Sequence, residues 1–116
     1  MISKQHRFHG HGSLNFVYRK GKTFRAEFIS LRVAPSRRSD YRMAVVVSKK
    51  VSKSAVVRNR IRRRVYEIVR LERSLVGAPL ACDLVFTVFD ERLASMPSLE
   101  LHVVVVGLLQ QASVKV

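Results

Sequence analysis

The residues of this chain best suited to chemistry are cations in close order. The stretch VVRNRIRRRVYE, residues 56–67, holds five arginines among twelve residues. A guanidinium forks onto phosphate oxygens in bidentate fashion and stacks on bases. Asn59, set among the arginines, both donates and accepts hydrogen bonds, which suits base edges or ribose hydroxyls. Just upstream, SKKVSKS (48–54) adds Lys49, Lys50 and Lys53, close to helix N-terminal amides that also favour anions. Lys49–Arg73 contains ten Lys/Arg and only Glu67 and Glu72 on the acidic side. A solvated basic face is the ordinary explanation for a charged helix. Here acidic partners are scarce, and the repulsion is of the kind that a bound phosphate backbone reverses. Nucleic-acid binding is therefore the expectation from charge and patterning, without a choice between RNA and DNA.

Other constellations are weaker. His6, His9 and His11 have a spacing that could hold a metal or serve a histidine nuclease, but no thiol or carboxylate stands near them. They are read as nucleic-acid-contacting or inert residues, so no metal site and no catalytic residue is predicted. The eight acids are scattered, without a pair for acid–base work. Gly10 and Gly12 follow no strand, which excludes a phosphate loop. Ser52 and Ser54 lack a base partner and are read as caps. Phe24, Phe86 and Phe89 are assigned to the core.

The whole composition agrees. The chain has 116 residues, 47% hydrophobic, with net charge +14 and a pI near 11.3. That suits one compact domain with a real core and a polyanionic partner. Residues 1–80 carry 20 Lys/Arg against 4 Asp/Glu, or +16, and residues 81–116 carry 2 against 4, or −2. The positive charge is thus concentrated away from the C-terminal stretch. The single cysteine, Cys82, allows no internal disulfide and fits a reducing compartment as a small buried residue. Met1–Gly12 has no apolar segment of signal-peptide type, and no apolar run approaches the ~20 residues that span a bilayer. A soluble, cytoplasmic protein without membrane partners is expected.

These side chains need elements to position them. Residues 1–12 read as a flexible basic arm and 13–116 as a single nucleic-acid-binding domain. Ser13 caps a short predicted helix, Leu14–Lys20, that Gly21 ends. The alternation from Phe24 to Val33 predicts one strand, with Ile29, Leu31 and Val33 on one face and Phe28, Ser30 and Arg32 on the other. APSRRSDY (34–41) reads as a loop, and Met43–Val47 as a buried strand. Ser54 is the predicted N-cap of a helix from about Ala55 to Leu75. On it Val57, Ile61, Val65, Ile68 and Leu75 share a narrow arc. Asn59, Arg62, Arg63, Tyr66, Arg70 and Arg73 lie opposite, with Arg58 and Arg60 at the borders. Asp83–Phe89 is a predicted strand. Residues 97–112 are open to two readings. Four successive valines favour a strand. Ser95, Pro97 and the spacing of Leu101, Val105 and Leu108 favour a helix, as does the length.

The twenty residues SKKVSKSAVVRNRIRRRVYE closely resemble the signature of the bacterial ribonuclease P protein family. In that family a strand ends in Ser-Lys-Lys, a basic loop follows, and a helix opens with Ala-Val-x-Arg-Asn-Arg. The matching positions are Ser48, Lys49, Lys50, Lys53, Ala55, Val56, Arg58, Asn59, Arg60, Arg62 and Arg63. Arg7–Phe8, the short helix ending at Gly21 and the strand–helix ending also fit. The resemblance implies an α+β fold, a small two-layer α/β sandwich in the order α-β-β-β-α-β-α, with a left-handed βαβ crossover against the general rule. Only two strands precede the arginine helix in the pattern above, so a hairpin within 34–41 is expected to supply the third.

The resemblance further implies a protein subunit that binds a catalytic RNA. That RNA, with Mg²⁺, removes the 5′ leader of precursor tRNA, and the polypeptide itself is not catalytic. Lys49, Lys50, Lys53, Arg58, Asn59, Arg60, Arg62 and Arg63 would face the catalytic RNA. Leu14, Tyr18, Phe28, Arg32 and Ser48 would line the cleft for the leader of the precursor tRNA. No obligate protein partner is implied. The chain departs from the family pattern in three places. Leu14 stands where a second aromatic is common, with Phe28 expected to compensate. Ala44 stands where glycine is usual. Val88, Phe89 and Asp90 stand where basic residues usually end the last strand. A ribosomal or ribosome-associated RNA-binding protein is the alternative that the charge suits equally.

Overall fold

A computed structural model describes residues 22–35, 42–72 and 82–115. Four strands, β1 (Lys22–Arg25), β2 (Ile29–Pro35), β3 (Arg42–Val46) and β4 (Cys82–Val88), form one sheet in the order β1-β2-β4-β3. Helix α1 (Ala55–Leu71) connects β3 to β4, and a 3-10 turn (Glu91–Ala94) leads from β4 into α2 (Ser98–Lys115). This is a mixed α+β domain in which α1 and α2 contribute to one core with the sheet. β1–β2 and β2–β4 are antiparallel, whereas β3 and β4 are parallel neighbours joined through α1.

Register explains the core. Phe24 lies opposite Leu31, Leu31 opposite Phe86, and Phe86 opposite Val45, a continuous apolar row across all four strands. All four side chains are buried. Ile61, Val65, Ile68 and Val69 of α1 and Leu101, Val105, Leu108, Leu109 and Ala112 of α2 close over this face. Each large apolar side chain withdrawn from water in this way stabilises the fold by about 1.5–3 kcal/mol.

The run Phe24–Val33 is two strands rather than one. The chain reverses at Ala26–Phe28, and the Ala26 amide donates to the Ile29 carbonyl at 2.9 Å. Nothing in RAEF announces this turn, because it contains no glycine, proline or asparagine, and common turns accept most residue types. The third strand before the arginine helix therefore comes from splitting this run. Ala34 and Pro35, read as the start of a loop, instead end β2, and residues 36–41 lie outside the described residues. The reversal also overturns the expected face of Phe28, which packs half-buried against the helix-side core instead of joining Ser30 and Arg32.

α1 ends at Leu71, where Glu72 caps it by donating its amide to the Ile68 carbonyl at 3.0 Å, four residues short of the predicted end. The ambiguous valine-rich segment is helical. Leu101, Val105, Leu108, Leu109 and Ala112 are buried, and Val103 is 64% exposed. A strand would turn Val103 and Val105 to the same face, so helical periodicity overrides the β-propensity of valine here. The arm 1–12 and the helix predicted at Leu14–Lys20 lie outside the described residues, as do Leu75 and Arg73.

Candidate nucleic-acid interface

The cationic surface is built by a braced loop and a capped helix. Ser54 is the N-cap of α1, its Oγ accepting from the Val57 amide at 3.3 Å, as the sequence predicts. Ser52 is buried and is not a cap. Its Oγ accepts from the Ser54 amide at 3.2 Å, and its carbonyl accepts from the Arg58 guanidinium at 2.9 Å. The Ser48 carbonyl accepts from the Val51 and Ser52 amides at 3.1 and 3.4 Å. This tight turn leaves Ser48, Lys49, Lys50 and Lys53 exposed.

On α1 the basic residues divide into two sets. Asn59, Arg60 and Arg63 are exposed, whereas Arg58 and Arg62 are half-buried. Arg62 donates to Asn59 Oδ1 at 2.8 Å and to the Val47 carbonyl at 3.3 Å. Arg58 and Arg62 thus tie the helix to the loop and the end of β3, while they remain at the surface. Arg60, Arg63, Lys49, Lys50 and Lys53 have no hydrogen-bonded or ionic partner among the described residues. Their charge is directed at solvent, the arrangement that neutralises a polyanion.

Tyr66 does not belong to this surface. It is half-buried against the core, because the apolar stripe of α1 is wider than the narrow arc read from Val57, Ile61, Val65 and Ile68. Arg64 was not predicted to have a role, yet it donates to the carbonyls of Leu93 and Met96 at 2.6 and 2.5 Å. Burial, and then the charge of Arg60, pull its pKa below the usual arginine value. No local pattern could reveal it, since its partners lie about thirty residues away.

The sheet face opposite the helices forms a second surface. Paired positions place Thr23, Arg32, Val85 and Ala44 in one row, and Arg25, Ser30, Thr87 and Val46 in the next. Its centre is closed: Ser30, Ala34, Asp83 and Val85 are buried. Its margins are open, with Thr23, Arg25 and Phe89 exposed and Arg32 and Thr87 half-buried. Arg32 Nε donates to Thr23 Oγ1 at 3.0 Å. Ser48 and Phe89 both lie two residues beyond the Val46–Thr87 pair, so they extend the same end of this surface.

Phe89 overturns its core assignment. It is 49% exposed, with the Arg25 guanidinium 5.9 Å from its ring centroid. Phe28, expected on this surface, has instead the Arg92 guanidinium 5.2 Å from its own centroid. Among the described residues the aromatic group available at the sheet margin is therefore Phe89. The signal was present in the alternation, because Val88 faces the core and its neighbour must point away. Leu14 and Tyr18 lie outside the described residues. Among the described residues no three His, Cys, Asp or Glu side chains converge on a possible metal position, and no helix is long and apolar enough to cross a membrane.

The family model for Ribonuclease P matches residues 2–113. A ribonuclease P protein component of Chloroflexus aurantiacus is 41% identical over 96 residues, covering 83% of this chain and 69% of the relative. One from Roseiflexus castenholzii is 43% identical over 98 residues, covering 84% and 78%. In fold, the chain is similar to the ribonuclease P protein of Staphylococcus aureus, with a TM-score of 0.79 at 22% identity over 92% of this chain and 94% of that one.

Proposed function

Because the chain belongs to the ribonuclease P protein family, we propose that it is the RNA-binding subunit of a ribonucleoprotein that removes the 5′ leader of precursor tRNA. The observation that carries this reading is the set of exposed cations without protein partners among the described residues, Lys49, Lys50, Lys53, Arg60 and Arg63, held on a braced loop and one helix. In this reading they bind the backbone of the catalytic RNA, with Asn59 beside them and Arg58 and Arg62 fixing the surface. The opposite sheet face takes the single-stranded leader. Arg32 and Ser48 border it, Phe89 offers a stacking plane there, and Leu14 and Tyr18 would complete it.

The polypeptide supplies binding, and RNA with Mg²⁺ supplies cleavage. The described part of the chain presents cations around the proposed interface and no converging carboxylates, a donor set that does not suit Mg²⁺. The metal is accordingly assigned to the RNA, and no step is assigned to a protein-bound ion.

The test is reconstitution of the full chain with the ribonuclease P RNA of its own genome, followed by cleavage of a precursor tRNA. The chain should raise affinity for precursor over mature tRNA. Changing His6, His9 and His11 together to alanine should leave the single-turnover rate constant unchanged at saturating enzyme. Stable sedimentation of the cellular protein with ribosomal subunits, without the ribonuclease P RNA, would favour the ribosomal alternative.

A further inference from the structure

A groove of about 500 Å³ lies between α1 and the start of α2. Arg60, Arg63 and Arg64 line it on one side, Ser98 and His102 on the other, with Ile68 and Leu101 at its floor and Glu67 at its rim. Its volume falls within the range of small-ligand sites, and six of its eight lining residues are polar or charged.

The polar groups are not equivalent. Arg64 is committed to the Leu93 and Met96 carbonyls. Glu67 is paired with Arg70, and His102 Nε2 stands 3.4 Å from Glu72 Oε1. Arg60 and Arg63 are left with unused donors and no partner among the described residues. They also belong to the cationic face of α1, so the groove opens from the proposed RNA surface and is continuous with it. An anion at its mouth meets two guanidinium groups, and a flat apolar group behind it meets Ile68 and Leu101.

We propose that this groove is a subsite for one unpaired nucleotide of the bound RNA. Arg60 and Arg63 hold its phosphate, and the base is inserted over Ile68 and Leu101, with Ser98 and His102 along its edge. This rests on the RNA-binding reading and adds to it a site that recognises a splayed-out base in addition to backbone charge. Sequence-specific proteins commonly read RNA through such unstacked bases.

Two measurements on the full chain test this. In the first, AMP, ribose 5-phosphate and inorganic phosphate are titrated separately into the labelled protein, and amide shifts are followed by NMR. AMP should move Ile68, Leu101 and His102, and the two sugar or phosphate probes should move them far less. In the second, Ser98→Trp places a large ring at an exposed position on the groove wall. Leu99→Trp does the same one residue away, at a position that is 79% exposed and outside the lining. Ser98→Trp should weaken binding of the ribonuclease P RNA about ten-fold relative to Leu99→Trp, a loss of about 1.4 kcal/mol. The salt slope should be unchanged, because no phosphate contact is removed. Equal shifts from AMP and ribose 5-phosphate would overturn the subsite, and so would equal RNA affinities of the two tryptophan variants. Failure of the parent chain to bind that RNA at all would instead remove the RNA-binding reading, a result distinct from either.

Discussion

Arg64 donates to the carbonyl oxygen of Leu93 across 29 residues of sequence, fastening the arginine helix to the turn that follows the last strand. A second bond from the same guanidinium, to Met96, makes the attachment a fork. Arg64→Ala leaves two carbonyls without their charged donor and should destabilise the chain by about 1–3 kcal/mol. Arg64→Lys should recover only part of this, because an ammonium lacks the planar fork. Thermal unfolding of the two variants measures the difference.

Removing cations from the interface should have a different signature. Arg60→Ala with Arg63→Ala deletes two charges that have no partner among the described residues. The double variant should keep its melting temperature and bind RNA with a shallower salt dependence, by up to roughly one unit of slope per lost phosphate contact. Arg58→Ala should weaken RNA binding and also lower stability by about 1 kcal/mol, since its bond to the Ser52 carbonyl is lost. Binding isotherms at several salt concentrations, with melting curves beside them, separate the two classes. An unchanged slope in the double variant would exclude this face from RNA contact.

The interior of α2 offers a stabilising change. A Cβ added at Gly107 meets nothing within 4 Å. Alanine there removes the conformational freedom of glycine in the unfolded chain without a clash. Gly107→Ala should stabilise the protein by about 1 kcal/mol. The urea midpoint should rise with an unchanged m-value.

Glu67 gives a pH prediction. The hydrogen bond from Arg70, and then the charge of that guanidinium, hold the Glu67 carboxyl below the usual carboxylate range against the opposing effect of desolvation. A depressed folded-state pKa means that the pair's contribution is complete above the unfolded pKa and is lost as pH falls through the folded one. The loss therefore lies on the acid side of the ordinary glutamate value, about 4.3. A carboxyl NMR titration of Glu67 should show a low midpoint in the parent chain and a rise towards the ordinary value in Arg70→Ala.

Much of this was legible in the residues. The apolar spacing of Ile61, Val65 and Ile68, the cap at Ser54 and the Ser-Lys-Lys motif placed the basic loop and helix correctly, because each signal is local. The hairpin at Ala26–Phe28 is marked only by a change of phase, from apolar Phe24, Ala26 and Phe28 to apolar Ile29, Leu31 and Val33, because its turn uses ordinary residues. That one reversal turns Phe28 to the core side, while the apolar character of Phe89 suggests a core position that its 49% exposure rules out. Arg64 looked like one more basic residue, for the carbonyls that it serves are brought near only by tertiary packing. Leu14 and Tyr18, drawn from the family pattern, lie outside the described residues.

The sheet order has a consequence for the chain as it emerges from the ribosome. β1 and β2 are adjacent in sequence and pair with each other, so they can close as a hairpin early. Among the described residues β3 pairs only with β4, and β4 begins at Cys82, after the whole of α1 has been made. The arginine helix is therefore synthesised before the strand that anchors its predecessor and before Leu93 and Met96, to which Arg64 attaches. For that interval the most cationic part of the polypeptide leaves the tunnel without its scaffold, in a setting rich in ribosomal RNA. Completion of β4 and the start of α2 is then the event that turns a nascent basic segment into an oriented surface.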